Sequence, residues 1–382
     1  MYSTNQVSKF SAFKAFVGNK TDNLLAPTLT NMDSFGAYLE PIIQVFKPSW
    51  RHGVISAAVV ATRKENQKVI TLSLRPDAKW QTFEAGQFIQ ITVEKNGSLM
   101  TRTFSISSAP SHFEESKLIE LSIRVLDDGL VTPWIAENLS AGDTVYLSQA
   151  SGDFKLTSSR KPKLFIAGGS GITPIRSMLN ENPGANWFKD STLIFYVNNA
   201  EEMLFANEIE NYEADGLNCH VVYSDEQGFI SETHIREKCP GFENFESYVC
   251  GPPKMIEAAL SILNEHVQNT ADIHHEYFGT APLSKADMDT DFDDEFIQVD
   301  YLTSNKQVQF NADGLPQTLL DIAEQEGLTP VSGCRIGVCH QCICKKKQGR
   351  VFNTKTKQYS DTGAEEIQLC LSVPVGHVEL EL

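Results

Sequence analysis

Four cysteines near the end of the chain have the spacing of ligands to an iron–sulfur cluster. Cys334, Cys339 and Cys342 follow the pattern C-x4-C-x2-C, and Cys370 stands alone further along. This plant-type spacing lets one loop supply three thiolates to a [2Fe–2S] cluster while a separate segment supplies the fourth. The alternatives are structural zinc, which prefers paired C-x2-C units, and buried free thiols, which have no reason to crowd into one loop. The pattern therefore predicts a [2Fe–2S] cluster.

A glycine-rich turn between a predicted strand and a predicted helix suits the phosphates of a nucleotide. Residues 163–167 form the strand, and Gly168, Gly169 and Gly171 follow before Thr173. Glycines at this place let the backbone approach a phosphate, and the N-terminus of the helix that begins at Thr173 faces it. The turn matches neither G-x-G-x-x-G nor a Walker loop, so an ordinary strand-to-helix turn is the alternative.

A later strand, predicted at residues 246–250, runs into Cys250, Gly251 and Pro252. Ligands of open α/β sheets bind at the carboxyl ends of the strands, and Cys250 lies at such an end. A buried cysteine is usually an inert core residue. Cys250 is therefore a candidate binding residue only in combination with its neighbours.

Another candidate stretch consists of Arg102, Thr103, Phe104 and Ser105 on a predicted strand. On a strand, Arg102 and Phe104 face one side, and Thr103 and Ser105 face the other. An arginine beside small hydroxyl groups suits a cofactor with phosphates and a flat polar ring edge. An arginine that is simply exposed on a strand is the alternative.

The stretch from Gly129 to Pro133 begins a predicted helix that runs to about residue 139. The free N–H groups and the dipole at the start of a helix suit a pyrophosphate. Thr132 as N-cap with Pro133 at the first helical position is a purely structural alternative.

The elements that must position these residues predict a multidomain chain. Residues 51–158 contain short alternating apolar runs separated by glycine and proline, which predicts an antiparallel β-barrel. Residues 159–278 alternate strand and helix, which predicts an α/β domain. In residues 296–382, alternating strands flank one helix, which is a β-grasp-like pattern.

Two further segments differ from these domains. Residues 279–295 contain a run of acidic side chains, which predicts a solvated linker. Within residues 1–50, apolar side chains between positions 35 and 46 recur at helical spacing. This N-terminal extension is either a helix packed on the first domain or a docking surface for a membrane or a partner helix.

Composition restricts the partners and the compartment. A net charge of −17 argues against nucleic acid as a partner and leaves no polybasic membrane patch. The cysteines outside the cluster motif lack a disulfide-like spacing, which favours a reducing compartment. The sequence contains no signal-peptide pattern and no apolar stretch near the ~18 residues of a membrane span. We expect a soluble cytoplasmic protein, with residues 1–50 as a candidate for peripheral contact with the inner face of the membrane.

Together these stretches resemble the ferredoxin-reductase-like flavoproteins with a C-terminal plant-type ferredoxin domain. The stretch from Arg102 to Ser105 is similar to their R-x-Y-[ST] flavin motif, and Gly129 to Thr132 to their G-x-x-[ST] pyrophosphate motif. The glycine turn and the Cys250-Gly251-Pro252 segment are similar to their nicotinamide-nucleotide motifs. The resemblance implies FAD and NAD(P)H as cofactors beside the [2Fe–2S] cluster. It also implies that Glu276 and Phe278 lie on a segment that passes the flavin.

The resemblance implies an electron-transfer reductase in which a nicotinamide reduces FAD, FAD reduces the cluster, and the cluster reduces an acceptor protein. Ser105 would bond near the reacting nitrogen of the flavin, Arg102 would hold its phosphates, and Thr173 and Cys250 would hold the nicotinamide. Residues 349–353 and 367–376 are similar to the corresponding segments of the reductases that serve bacterial acyl-chain desaturases. The desaturases, as electron acceptors, are membrane proteins. Reductases of ring-hydroxylating or phenylacetyl-CoA-type oxygenases are the near alternative, and a non-enzymatic redox sensor is the alternative from another class.

Three positions depart from the family pattern. Phe104 replaces a tyrosine, so a hydroxyl contact to the flavin is lost. His340 replaces the glycine that commonly follows the second cluster cysteine. Asn199 stands where many NADPH-using members carry arginine, and residues 224–226 add no cation. Because a 2′-phosphate requires a cation, we expect NADH as the donor.

Overall fold

The computed structural model describes residues 55–95, 98–126, 129, 131–181, 187–278, 296–311, 317–332, 335, 337 and 341–382. The predicted extension at residues 1–50 and the predicted linker at residues 279–295 lie outside the described residues. So do Cys334, Cys339 and His340 of the cluster loop. Within the described ranges, no helix combines the length and apolarity needed to cross a membrane.

The first domain is a strongly curved antiparallel sheet, as the alternating pattern predicts. Alternate residues Ile55, Ala57 and Val59 point into its core. The N–H of Ser107 donates to the carbonyl of Glu120 and joins the two edge strands. Its strands are β1 (Ile55–Lys64), β2 (Val69–Pro76), β3 (Phe88–Lys95), β4 (Ser98–Ser105), β5 (Ile119–Arg124) and β6 (Thr144–Leu147), in the order β4-β3-β6-β1-β2-β5, with helices α1 (Pro110–Ser116) and α2 (Thr132–Asn138).

The second domain is a parallel five-stranded sheet with helices on both faces, because its central strands are buried on both sides. The strands are β7 (Lys163–Gly168), β8 (Thr192–Val197), β9 (Asn218–Tyr223), β10 (Glu246–Gly251) and β11 (Ile273–Tyr277), in the order β11-β10-β7-β8-β9. The helices are α3 (Ile172–Glu181), α4 (Ala206–Ala214), α5 (Ser224–Gln227), α6 (Glu232–Lys238) and α7 (Pro253–His266).

Helix α3 fixes the second domain against the barrel. Arg176 Nη1 donates to the carbonyl of Ser107 and to Glu120 Oε2, both at 2.9 Å. One residue later, Ser177 Oγ donates to the carbonyl of Ser108 at 2.7 Å. Because α3 follows the glycine turn directly, these bonds hold that turn in register with the end of β4.

The third domain is a mixed sheet covered by one helix. Its strands are β12 (Phe296–Tyr301), β13 (Lys306–Asn311), β14 (Ile343–Asn353), β15 (Gln358–Tyr359), β16 (Glu365–Gln368) and β17 (Ser372–Leu380), and its helix is α8 (Leu319–Gln325). The strand order is β13-β12-β17-β14-β15, with β16 pairing β14. This architecture agrees with the predicted β-grasp-like pattern, and the predicted fold class is confirmed.

Strand β14 was not predicted, because its sequence is rich in lysine. The structure places the Lys346 side chain inside the domain, fully buried. There Lys346 Nζ donates to the carbonyls of Gly349, Asp361 and Gly363 at 2.6 to 2.7 Å. Three backbone acceptors thus replace the water that a buried ammonium group loses.

Two predicted helix starts are displaced. Helix α2 begins at Thr132, and its N-cap is Val131. The interpretation of Thr132 as N-cap is therefore wrong, since Thr132 Oγ1 accepts instead from the N–H of Leu126 at 3.0 Å. Helix α3 begins at Ile172 after a 3₁₀ turn at Gly169–Gly171, one residue before the predicted start.

Candidate active site between the barrel and the parallel sheet

Three predicted site residues from two domains meet at the carboxyl end of the parallel sheet. Cys250 on β10 lies in register with Glu276 on β11. Ser105, the last residue of β4, donates its Oγ–H to Glu276 Oε2 at 3.3 Å. Cys250 is fully buried, Ser105 is buried and Glu276 is half-buried. The boundary between the two domains therefore carries a thiol, a hydroxyl and a carboxyl group side by side.

The electrostatics of this group favour its protonated forms. Burial raises the pKa of Glu276 to about 8, and the hydrogen bond from Ser105 opposes this rise only in part. Burial also raises the pKa of the Cys250 thiol, and the neighbouring Glu276 charge adds to the effect. Near neutral pH, Glu276 can therefore hold a proton at the place where the end of the predicted flavin strand meets the α/β domain.

The glycine turn is packed directly against β10. A Cβ on Gly171 would lie 2.2 Å from the carbonyl oxygen of Cys250, so only glycine fits there. A Cβ on Gly168 would lie 2.6 Å from the Pro252 side chain. Close packing between the turn and the end of β10 therefore explains these glycines, whether or not a nucleotide approaches them.

Thr173 is buried, and its hydroxyl is already bonded within the turn. Thr173 Oγ1 donates to the carbonyl of Ser170 at 2.8 Å. This bond closes the first turn of α3 and still leaves the hydroxyl oxygen as an acceptor. The prediction that Thr173 holds the nicotinamide stays a prediction.

The predicted flavin strand carries an observation that fits a bound cofactor. Thr103 Oγ1 is buried and has no hydrogen-bond partner among the described residues. Buried polar atoms normally find a partner, so this atom fits the polar edge of a ligand. Phe104 packs its ring partly against the barrel core. The residues present on β4 therefore fit FAD, as predicted for Arg102 to Ser105.

Arg102 lies within electrostatic range of the third domain. Burial lowers its pKa, the charge of Arg335 lowers it further, and Glu324 opposes both effects. Arg335 belongs to the cluster loop and forms an ion pair with Glu324 of α8. Arg335 and Glu324 of the third domain are therefore close enough to β4 for their charges to act on Arg102.

The predicted pyrophosphate residues lie at the start of α2. Thr132 is buried, and its Oγ1 accepts the backbone bond described above. Gly129 is half-buried in the loop that leads to it. Both residues therefore have a local structural role, and their contact with a pyrophosphate stays a prediction.

Two of the four predicted cluster ligands lie together. Cys342 and Cys370 are buried, with their Sγ atoms 3.3 Å apart. The hydrogen bond between Cys342 and Cys370 lowers the pKa of Cys342 to about 6, which favours a thiolate there. Gly337 adopts a φ of +75°, and a Cβ there would lie 2.2 Å from Leu371, so this loop position requires glycine. These features fit a cluster held by a tight loop, although Cys334 and Cys339 lie outside the described residues.

Sequence reasoning missed Arg176, which contacts the barrel, and the residues of the α/β domain that hold its guanidinium in place. Arg176 Nε and Nη2 donate to the carboxylate of Glu208 at 2.7 and 2.8 Å. The Arg176 guanidinium also lies 4.6 Å from the centre of the Phe205 ring. No local motif marks these residues, because their partners come from distant segments.

Asn199 and Asp225 lie together at the carboxyl ends of β8 and β9. Asn199 Nδ2 donates to Asp225 Oδ2 at 3.2 Å. Asn199 Oδ1 is buried and has no partner among the described residues. A carboxylate and a free acceptor at this place suit a ribose hydroxyl better than a phosphate.

Comparisons with known families identify all three domains. Residues 56–156 match the oxidoreductase FAD-binding domain, and residues 165–261 match the oxidoreductase NAD-binding domain. Residues 302–375 match the 2Fe-2S iron-sulfur cluster binding domain. The predicted cofactors FAD, nicotinamide nucleotide and [2Fe–2S] cluster are confirmed at the level of these domains.

Similar proteins align with this chain over most of their length. An NADPH oxidoreductase of Mycobacterium tuberculosis is 24% identical over 344 residues, which cover 89% of this chain and 87% of the relative. The glycine betaine monooxygenase reductase subunit of Chromohalobacter salexigens is 24% identical over 365 residues, covering 87% and 96%. The structure of phthalate dioxygenase reductase superposes with a TM-score of 0.56 at 20% identity, covering 86% of this chain and 98% of that chain, and shows the shared fold.

Proposed function

We propose that this chain, a ferredoxin-reductase-like flavoprotein with a C-terminal [2Fe–2S] domain, is the reductase component of an oxygenase system. Its domains make it an NAD(P)H-dependent oxidoreductase. The observation that carries the proposal is that strand β4 contacts the α/β domain and lies within electrostatic range of the third domain. Ser105 contacts Glu276 of the α/β domain, and Arg102 is within range of Arg335 in the cluster loop.

When bound, the cofactors would supply the chemistry, namely a hydride from the nicotinamide, one- or two-electron exchange at FAD, and single-electron transfer at the cluster. The residues of this chain position them. We assign Arg102 to the flavin phosphates and Ser105 to the reacting edge of the flavin ring. Cys250 closes the nicotinamide side, where its buried thiol excludes water. Glu276 would hold a proton beside Ser105.

Four cysteines would ligate the cluster, namely Cys334, Cys339, Cys342 and Cys370. Replacing Cys339 by serine is expected to abolish electron transfer to an acceptor while reduction of the flavin by NADH continues. Stopped-flow absorbance of flavin-loaded protein measures the reduction of the flavin by NADH directly. Loss of flavin reduction in a folded C339S variant would contradict this division of labour.

Two classes of protein are candidates for the electron acceptor. The monooxygenase reductase subunit among the relatives favours an oxygenase component. A membrane acyl-chain desaturase is the second candidate, favoured by the resemblance of residues 349–353 and 367–376 to desaturase reductases. Flotation of the full-length protein with anionic phospholipid vesicles separates the two. Binding favours the desaturase, whereas a protein that stays unbound favours a soluble oxygenase.

We assign NADH as the preferred donor. The hydrogen bond between Asn199 and Asp225 supports this, since a carboxylate held beside Asn199 suits a ribose hydroxyl better than a 2′-phosphate. An excess of kcat/KM for NADPH over NADH would contradict the assignment.

The deciding experiment is an anaerobic titration of the purified holoprotein with NADH and, separately, with NADPH. Flavin absorbance and the EPR signal of the reduced cluster are followed together. We expect the flavin to bleach while a [2Fe–2S] signal grows. If neither nucleotide reduces an intact flavin, the reductase proposal fails and a redox sensor becomes the better reading.

A further inference from the structure

A groove lies over the glycine turn, where the barrel and the α/β domain meet. The barrel contributes Lys68 and Arg124 to its lining, and the α/β domain contributes Gly169, Ser170 and Glu202. The groove therefore joins charged side chains of both domains at the turn that the sequence marks as a phosphate site.

Glu202 bridges the two barrel cations. Its Oε1 lies 2.5 Å from Lys68 Nζ, and its Oε2 lies 3.8 Å from Arg124 Nη2. Asn198 Nδ2 also donates to Glu202 Oε2 at 3.0 Å. The hydrogen bond from Lys68 is the main cause of a lowered Glu202 pKa, so this side chain is ionised at neutral pH.

Arg124 lies directly over the turn, and Lys68 lines the same groove. Gly169 has a φ of +52°, and a Cβ there would point to within 3.5 Å of Arg124 Nη1. Helix α3, which is ten residues long, begins just after this turn and adds the positive end of its dipole. Two cations and a helix N-terminus against one carboxylate leave the groove with excess positive charge. Such a groove suits an anion with more charge than a carboxylate.

We propose that Glu202 is an internal counter-ion of this groove, and that the diphosphate of the nicotinamide nucleotide displaces it from Lys68 and Arg124. This inference rests on the proposed function, since it concerns the donor of that reaction. Glu202 thereby sets the affinity for the nucleotide, because every binding event must first break two ion pairs between the domains.

The exposure of the pairs makes the exchange feasible. The side chains of Lys68 and Arg124 are 52% and 37% exposed, against 18% for Glu202. Ion pairs with such exposed cations contribute little to stability, so they can open without unfolding either domain. A diphosphate offers several acceptor oxygens to the same cations, whereas Glu202 offers two.

The test compares Glu202→Gln with the wild-type holoprotein in NADH-driven reduction of cytochrome c. The variant is expected to lower KM for NADH about three- to tenfold at unchanged kcat, because the competing charge is gone. Inorganic pyrophosphate, used as a competitive inhibitor, should bind more tightly by the same factor. Lys68→Gln should raise KM for NADH and weaken the binding of inorganic pyrophosphate.

Glu84→Gln is the matched control, because Glu84 also pairs with an exposed lysine, Lys155 at 2.7 Å, away from the groove. It should leave KM unchanged. An unchanged or raised KM in Glu202→Gln would overturn the proposal, since the ion pairs would then serve only to hold the domains together. A loss of bound FAD in Lys68→Gln at unchanged KM would also overturn it.

A phosphate-free hydride donor, 1-benzyl-1,4-dihydronicotinamide, separates failure of this inference from failure of the proposed function. Its rate of flavin reduction should not respond to Glu202→Gln. If Glu202→Gln changed flavin reduction by NADH and by the phosphate-free donor equally, Glu202 would not be a counter-ion for the nucleotide. The reductase function would still hold. Absence of flavin reduction by either donor would instead contradict the proposed function.

Discussion

Each end of strands β10 and β11 carries a glutamate, and the two surroundings shift its pKa in opposite directions. At the amino end, Glu246 is almost fully buried, and its Oε2 lies 2.5 Å from Nζ of the fully buried Lys163. His274 Nε2 and Thr157 Oγ1 lie 2.9 and 2.7 Å from Glu246 Oε1. Burial alone would raise the pKa of Glu246, but the bonds from His274, Lys163 and Thr157 outweigh it and lower the pKa well below the ordinary value.

At the carboxyl end, Glu276 has no such compensation. Its one described hydrogen bond comes from Ser105, and burial raises its pKa to about 8. The same two strands therefore carry an ionised carboxylate at one end and a protonated carboxyl group at the other. Paired charge at the amino end stabilises the fold, whereas an uncompensated acid at the carboxyl end is typical of a functional site.

The largest effect is expected from breaking the pair at the amino end. Glu246→Gln keeps the side-chain shape but leaves Lys163 as an unpaired buried cation. We expect the free energy of unfolding to fall by about 3 to 5 kcal/mol, measured by urea unfolding followed by circular dichroism. The double variant Lys163→Met/Glu246→Leu should recover much of this loss. A fall below 1 kcal/mol in Glu246→Gln would show that the pair does not stabilise the domain.

The same substitution at the carboxyl end should leave stability intact and reduce activity. Glu276→Gln keeps an acceptor for Ser105 but cannot exchange a proton. NADH-driven turnover is expected to fall about 10²-fold, with no decrease in the free energy of unfolding at pH 7. Flavin content serves as the control for an intact site. Full turnover in a flavin-loaded Glu276→Gln protein would remove Glu276 from the reaction.

The two carboxyl groups should also give opposite dependences of stability on pH. The folded-state pKa of Glu276 lies above its ordinary 4.5, so its contribution is present below about pH 4.5 and is lost as the pH rises to about 8. The folded-state pKa of Glu246 lies below 4.5, so its contribution is present above that pH and is lost as the pH falls.

Apparent melting temperatures measured between pH 2 and pH 9 test this for each variant against wild type. Glu276→Gln should gain stability relative to wild type towards about pH 8, and Glu246→Gln should lose its disadvantage in acid. If the difference in melting temperature from wild type changed with pH in the same way for both variants, the assigned protonation states would be contradicted.

The smallest effect is expected from Ser105→Ala at the carboxyl end of the strands. Loss of the hydroxyl removes the bond that lowers the Glu276 pKa, so this pKa should rise further, as read from the infrared carboxyl band. Turnover should fall about three- to tenfold, the equivalent of one hydrogen bond. Ser116→Ala, whose hydroxyl bonds within the end of α1, is the control. A lower Glu276 pKa in Ser105→Ala would contradict the contact.

The sequence by itself determined which cofactors this protein uses. The cysteine spacing and the glycine turn are local patterns, because a loop can present Cys334, Cys339 and Cys342 to a cluster only at certain spacings, and glycine is needed where backbones approach closely. Alternating and continuous apolar runs likewise predicted the barrel and the parallel sheet, since burial on one face or two imposes those patterns.

Only the tertiary structure decided which of these residues act together. Ser105 and Glu276 are 171 residues apart, and Lys68 and Glu202 are 134 apart. Their contacts depend on sheet order, strand register and the docking of α3 on the barrel, none of which leaves a local pattern. The sequence likewise could not distinguish Glu246 from Glu276, because the pKa of a carboxyl group depends on burial and on neighbours that the fold brings to it.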